Sequence, residues 1–417
     1  MKVFHLSTSD NRGGAARAAY RLHLGLRAAN IDSSMFVRRK TSEDAHVTKW
    51  EPNRSFSSRL KDRFKRRWLR YRFQKHTDSR PDGLELFSQA RTLRGNEVAS
   101  DLPGADVYNL HWINGFIDPL PFFEAVERPV VWTLHDMNPL TGGCHYNVGC
   151  RKFEKKCGAC PQLGSTADSD LSRSVWSRKR DAYRQAIADH QLHIVADSKW
   201  LAQEARKSTL LSEAPIQTIH YGLDHHTFQP RETEGVRRAL NIPQSHRILL
   251  FVAQSTRNHR KGFDLLTKAL SSVSLDDVTL LSVGGERPDI ETSHPHFHLG
   301  SINSNLLLSV LYSLADLFII PSRQEAFGQT ALESMACGTP VVGFDTGGIP
   351  DMVCPNETGW LAEVGNIQSL QEAIEQALQD SDARERMGKR CREIVLEEYT
   401  LKRQARDYLQ LYKDISS

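Results

Sequence analysis

Short apolar runs alternate along the chain with stretches in which apolar residues recur at helical spacing, the signature of parallel α/β domains. The runs Val3–Leu6, Val107–Leu110, Val130–Leu134 and Leu192–Ala196 predict strands in the first half. A second series, Ile248–Ala253, Val278–Val283, Leu317–Ile320 and Pro340–Gly343, begins after Tyr221. Gly14–Arg27 has Ala and Leu at helical spacing and predicts the first crossover helix, while Ser369–Gln379, Ala383–Glu398 and Leu401–Asp414 predict long helices at the end. The division this suggests is two doubly wound, Rossmann-like domains, residues 1–221 and 222–398, joined near Tyr221-Gly222-Leu223-Asp224. Residues 399–417 form a last helix expected to pack back toward the first domain. Sheets of this kind bind ligands beyond the carboxyl ends of their strands, so two facing domains would hold a ligand in the cleft between them. Neither domain has a G-x-G-x-x-G turn, which argues against a dehydrogenase.

Composition is ordinary for a globular chain: 39% hydrophobic and 25% charged residues over 417 positions, which excludes a largely disordered protein. No apolar run approaches the roughly 18 residues needed to span a bilayer. The short apolar stretch in MKVFHLSTSD reads as a strand rather than a signal-peptide core, so the expected location is cytoplasmic, with the inner membrane face as a peripheral site. The net charge of +4 conceals one strongly basic window. Nine Lys or Arg residues and a single acid, Asp62, fall between Arg59 and Lys75. Phe56, Leu60, Phe64, Trp68 and Tyr71 recur through it at spacings that share one helical face. An amphipathic basic helix over about 56–75 suits an anionic membrane surface, and equally a solvated face packed on its own domain. Nucleic acid is not expected as a partner, because the remainder of the chain is net acidic and shows no recognised binding motif.

Four of the seven cysteines, Cys144, Cys150, Cys157 and Cys160, lie within seventeen residues as C-x5-C-x6-C-x2-C, a Cys-rich insertion over 144–160. Four thiolates with a closing C-x2-C suit a structural, tetrahedral zinc site; an iron–sulfur cluster uses the same ligands, and free thiols are the third reading.

The most informative stretch is PSRQEAFGQTALESMACG, residues 321–338. A strand ends, a polar loop follows, and a helix is predicted from Phe327 to Gly338, the glycine serving as its C-terminal stop. The backbone N–H groups of Phe327, Gly328 and Gln329 would then sit at a helix N-terminus, where the dipole favours phosphate. Glu325 in the loop can reach sugar hydroxyls, and Glu333 on the helix can accept bonds from both hydroxyls of a ribose. In the first half, Gly13 and Gly14 follow the first strand and allow a backbone to approach a phosphate or sugar closely. His111 and His135 each follow a strand, where a histidine can bond a hydroxyl or shuttle a proton.

Glu325 and Glu333 make an E-x7-E motif, and with Thr346-Gly347-Gly348-Ile349-Pro350, Asn356-Glu357-Thr358-Gly359-Trp360-Leu361 and Ser198-Lys199-Trp200-Leu201 the sequence resembles the family-four retaining glycosyltransferases of the GT-B fold. The resemblance is strongest from about residue 190 to 365. It implies transfer of a sugar from a nucleoside-diphosphate sugar, with retention at the anomeric carbon and no catalytic divalent metal. Glu325 would contact the donor sugar, Glu333 the nucleotide ribose, and Lys261 the diphosphate. The family's arginine partner to that lysine does not align, leaving Arg257 or Arg260 to substitute. Gly13, Gly14 and His111 would face the acceptor side. The implied setting is assembly of a surface polysaccharide on a glycan or lipid-linked acceptor. The alternatives are a sugar-nucleotide-modifying enzyme such as an epimerase, and a non-catalytic, zinc-stabilised, membrane-associated binding protein.

Overall fold

A computed structural model describes residues 1–52, 56–273, 277–287 and 294–416; within the helix that begins at Phe56, side chains are described from residue 62 on. The Phe56 and Leu60 positions of the aromatic stripe therefore lie outside the described side chains. The chain divides into two compact units, Met1–Gly222 with Leu401–Ser417, and Leu223–Thr400.

Unit 1 runs β1 (Lys2–Ser9), α1 (Gly14–Ala28), β2 (Asp32–Arg39), β3 (Val47–Lys49), α2 (Phe56–Gln74), α3 (Gly95–Ser100), β4 (Val107–Leu110), α4 (Pro119–Ala125), β5 (Val130–Leu134), α5 (Leu171–Ala188), β6 (Leu192–Ala196), α6 (Lys199–Lys207) and β7 (Ile216–Thr218). Its strands form one parallel sheet in the order β3-β2-β1-β4-β5-β6-β7. Unit 2 runs α7 (Glu234–Ala239), β8 (Arg247–Val252), α8 (Phe263–Leu270), β9 (Val278–Val283), β10 (His296–His298), α9 (Asn305–Leu314), β11 (Leu317–Ile320), α10 (Gln329–Ala336), β12 (Val341–Phe344), β13 (Gly359–Ala362), α11 (Ile367–Gln379) and α12 (Ser381–Glu398). Its parallel order is β10-β9-β8-β11-β12-β13. Both sheets are doubly wound. The order reverses between β1 and β4 in the first and between β8 and β11 in the second, and such switch points open a crevice at the strand ends.

The central strands β4, β5, β9, β11 and β12 are buried at every position, as expected of strands covered on both faces. The last helix, α13 (Leu401–Ser416), belongs to unit 1. Ala405, Tyr408 and Tyr412 pack with Val3, Leu22, Leu26, Val107, Val131 and Val195 in one core cluster. Its tyrosines are anchored as well as buried: Tyr408 Oη is 2.9 Å from Thr133 Oγ1, and Asn109 Nδ2 donates to Tyr412 Oη at 2.7 Å. Gly25 lets α1 approach α13, since a Cβ there would lie 3.0 Å from the Leu401 carbonyl oxygen. Burying two such aromatic side chains contributes on the order of 1.5–3 kcal/mol each.

Among the predicted boundaries that move, two have a plain local cause. The helix predicted from Phe327 starts at Gln329, because Gly328 takes a left-handed conformation (φ 103°) as its N-cap; it ends with Cys337 as C-cap and Gly338 left-handed behind it. The strand predicted from Pro340 starts at Val341; Pro340 has no N–H to give and contributes only its carbonyl, which accepts from Phe318 N–H at 3.0 Å.

Candidate functional site

In unit 2 the switch-point strands β8 and β11 lead into two loops that are stitched together. Arg323 N–H donates to the Arg260 carbonyl at 2.8 Å, and the Arg323 guanidinium reaches the His259 carbonyl and both oxygens of Asp264. Gly262 makes the approach possible. It is left-handed (φ +68°), and a Cβ on it would lie 1.7 Å from the Pro321 carbonyl oxygen. A Gly262→Ala substitution combines an αL penalty with a backbone collision, so urea unfolding should show unit 2 destabilised by about 2–4 kcal/mol.

The stitching brings Glu325 between two cations. Lys261 Nζ is 2.5 Å from Glu325 Oε2 and Arg260 Nη1 is 3.1 Å from the same atom. Ser322 Oγ donates to it as well, at 3.3 Å. Burial by itself would raise the Glu325 carboxyl, but Lys261 and then Arg260 outweigh it and hold the pKa at about 2. The carboxylate is therefore charged across any working pH. Behind it Gly348 N–H donates to the Glu325 carbonyl at 3.0 Å, and a Cβ on Gly347 would collide with that carbonyl oxygen at 1.8 Å. The glycine pair in Thr346-Gly347-Gly348 thus fixes the backbone that aims Glu325.

Of the two arginines left open by the sequence, the structure brings Arg260 into this cluster. Arg257 instead pairs with Glu286 at 2.8 Å and is largely exposed. Gly328 and Gln329 stand at the N-terminus of α10, and Phe327 precedes it with its side chain buried. Glu333 lies on α10 in a buried position, where Tyr312 Oη from α9 donates to its Oε2 at 3.1 Å. Sequence reasoning missed Tyr312. Helical periodicity marks it as a core position and carries no sign of the polar contact.

Unit 1 places Gly13 and Gly14 beyond β1, Gly13 as the N-cap of α1 at φ 95° with nothing within 4 Å of a would-be Cβ. His111, beyond β4, is only 3% exposed, and both ring nitrogens are engaged: Nε2 lies 2.9 Å from His5 Nδ1 and Nδ1 lies 3.0 Å from His135 Nε2. Direct contact with a hydroxyl, expected from its strand-end position, would require breaking one of these bonds. His135 Nδ1 continues the chain to Tyr221 Oη at 2.5 Å, and Tyr221 faces Asp197. Burial pushes His5 and His111 well below 6.5 and brings His135 to about 4, so all three rings are neutral at pH 7.

The zinc reading of the cysteine loop finds no support. Among the described residues, no three His, Cys, Asp or Glu side chains are grouped so as to hold one metal ion. All four cysteines are free and line a cavity of about 20 Å³ with Phe87, Phe153 and Gly142. The sulfurs have separate partners: Gly142 N–H donates to Cys157 Sγ at 3.2 Å, backbone N–H groups at Gln162 and Leu163 serve Cys160, and Thr141 serves Cys144. Burial raises Cys144 and Cys157 to about 12 and Cys160 above its usual value. His145, a spare ligand by position, is spent on Asp136 (2.7 Å) and Ser88 (2.8 Å).

Residues 232–394 match the family described as Glycosyl transferases group 1. The N-acetyl-alpha-D-glucosaminyl L-malate synthase of Bacillus anthracis is 28% identical over 207 residues, covering 48% of this chain and 54% of that protein. Residues 232–394 thus resemble a group 1 glycosyltransferase domain. A D-inositol 3-phosphate glycosyltransferase of Mycobacterium bovis is 27% identical to this chain over 300 residues, 68% of this chain and 62% of the relative. The chain spans about half the length of the curated relatives it matches. Two solved structures show that this chain has the GT-B fold. Sucrose-phosphate synthase from Thermosynechococcus elongatus superposes with a TM-score of 0.67 at 20% identity, covering 99% of both chains. Anabaena Alr3699/HepE in complex with UDP-glucose gives 0.67 at 15% identity, covering 99% of this chain and 100% of that one.

Proposed function

We propose that this protein transfers a sugar, with retention, from a nucleoside-diphosphate sugar bound on unit 2 to a glycan or lipid-linked glycan acceptor bound on unit 1, in assembly of a surface polysaccharide. The observation that carries the reading is the clamp of Lys261 and Arg260 on Glu325 at the switch point of the second sheet. Two cations beside a helix N-terminus suit a diphosphate, whose charge grows as it leaves the anomeric carbon. In this reading Lys261 and Arg260 turn toward the phosphates when donor arrives, releasing the Glu325 carboxylate to the sugar. Gly328 and Gln329 N–H groups meet the phosphate, and Glu333, oriented by Tyr312, takes the ribose hydroxyls. The departing diphosphate then accepts the acceptor's proton on the same face. No divalent metal is needed where two cations already offset that charge. His111 serves as a positioning residue, holding His135 in place on the acceptor side next to Gly13 and Gly14.

A panel of nucleotide sugars tested by thermal shift decides the matter. UDP-glucose is the first to try, since Anabaena HepE is seen with it. One donor should raise the melting temperature, and Glu333→Ala should abolish that rise. If no nucleotide sugar stabilises the protein, or Glu333→Ala leaves the rise intact, the donor site is misplaced.

A further inference from the structure

We infer that α2 is a docking helix for an anionic lipid surface, lying flat with an aromatic stripe inserted between the headgroups. The sequence shows the stripe, and the structure shows which way it points. One face of α2 holds the helix to unit 1. Arg94 pairs with Asp62 (2.5 Å), Gln89 Nε2 donates to the Leu69 carbonyl (2.9 Å), and Arg72 donates to Ser174. The Phe73 ring packs against Phe87 and the cluster of Leu163 and Val175. At about 100° per residue, Leu69 and Phe73 fall within about 20° of Asp62 around the helix, whereas Phe64, Trp68 and Tyr71 fall about 180–240° away. The aromatic stripe thus points outward from the domain, with the Arg91 guanidinium of the domain reaching over Trp68 at 5.9 Å. Phe64 is 67%, Trp68 46% and Tyr71 56% exposed, an unusual outlay of large rings to water.

Cations flank the stripe on both sides: Arg63, Arg67 and Arg70 along one edge, Lys65 and Arg72 along the other. From Arg63 to Lys75 the helix has seven cations and no acid. Two of them cover the rings, Arg72 at 4.9 Å from the Trp68 centroid and Lys75 at 4.6 Å from Tyr71. Such contacts shield aromatic faces in water and are easily exchanged for headgroup phosphates. Rings in the middle, cations at the edges and a firmly docked back are the features of a helix that lies in an interface. Among the described residues no helix is long and apolar enough to cross a membrane, so attachment through α2 would be peripheral. A nucleic acid would use the cations, but it leaves the outward row of rings without a role, and the rest of the chain is net acidic.

The test is flotation of the purified full-length chain with vesicles of phosphatidylcholine alone, or with about 30% phosphatidylglycerol, in moderate salt. Binding to the anionic vesicles should exceed binding to neutral ones by at least about tenfold and weaken steeply as salt rises. The triple variant Phe64→Ser, Trp68→Ser, Tyr71→Ser, and separately Arg63→Gln with Arg67→Gln and Arg70→Gln, should each lose about tenfold or more. Both replace exposed side chains, and unchanged melting temperatures confirm that they fold. Equal binding to the two vesicles, no binding to anionic ones, full binding by the aromatic triple variant, or duplex DNA or RNA bound as tightly as the vesicles would each overturn the inference. The inference is independent of the donor reading, because transfer to a water-soluble acceptor should be unaltered in both variants.

Discussion

Replacing Lys261 with methionine should lower the rate of sugar transfer about 100- to 1000-fold, the usual cost of losing one fixed charge aimed at a developing anion. The structure adds a second signature. In the native protein Lys261 and Arg260 outweigh burial and hold Glu325 at about 2. With Lys261 gone, burial is opposed mainly by Arg260, so the Glu325 carboxyl must move upward. Protonation then begins at a higher pH, and the acid limb of the residual activity should shift up in the variant. A pH profile of kcat/KM from about 4 to 8, which reports the free protein, measures this; a depressed rate with an unshifted acid limb would mean that Lys261 does not govern Glu325. Because breaking a buried pair also costs stability, the comparison is made below the variant's own melting temperature.

Unit 1 should be unusually sensitive to mild acid. His5 and His111 have folded pKa values well below 6.5, and His135 and His23 lie near 4, in each case through burial first. Asp44, beside His23 at 3.4 Å, and Asp136, next to His135, oppose the shift without reversing it. Positive neighbours reinforce it, Arg27 and His46 at His23, and the histidines upon one another. An unfolded chain accepts protons at these groups near 6.5, whereas the folded chain refuses them until well below that, about 4 for His135 and His23. Their contribution to stability is therefore complete above about pH 6.5 and is lost as pH falls toward 4, at roughly 1.4 kcal/mol per pH unit for each histidine involved. Urea midpoints at pH 7.5 and 5.0 should differ by the equivalent of more than one proton. A midpoint that does not move would show that the rings already take up protons in the folded protein.

The strand ladder was largely legible because a central parallel strand must be apolar on both faces. Val107–Leu110, Val130–Leu134, Leu192–Ala196, Val278–Val283 and Leu317–Ile320 were all found at their observed limits. Strands of mixed polar sequence are not legible in this way. DSSMFVRR in β2 and HFH in β10 owe their conformation to a neighbour rather than to their own pattern. The site divides in the same way. Glu325, Glu333 and Lys261 stand out because a polar loop interrupts an apolar strand-to-helix pattern. The choice of Arg260 over Arg257 depends on how two loops meet, which spacing along one chain does not record. The histidine chain was half visible: His111 and His135 follow strands, but His5 hides inside an apolar one, and only the pairing of β1 with β4 brings it beside His111. The cysteine spacing reports proximity along the chain; the four side chains do line one cavity, but among the described residues no three are grouped so as to hold a metal ion.

The place of α13 in the unit 1 core has a consequence for biosynthesis. A ribosome makes β1 through β7 first, then all of unit 2, and only then the helix that covers Leu22, Leu26, Val131 and Val195. Until that segment emerges, the nascent sheet has a greasy underside open to water, an opportunity for chaperones and for aggregation alike. Fusing residues 401–416 directly after Gly222 would remove the delay, and the shortened polypeptide should reach its native state faster than the sheet does at the head of the full chain.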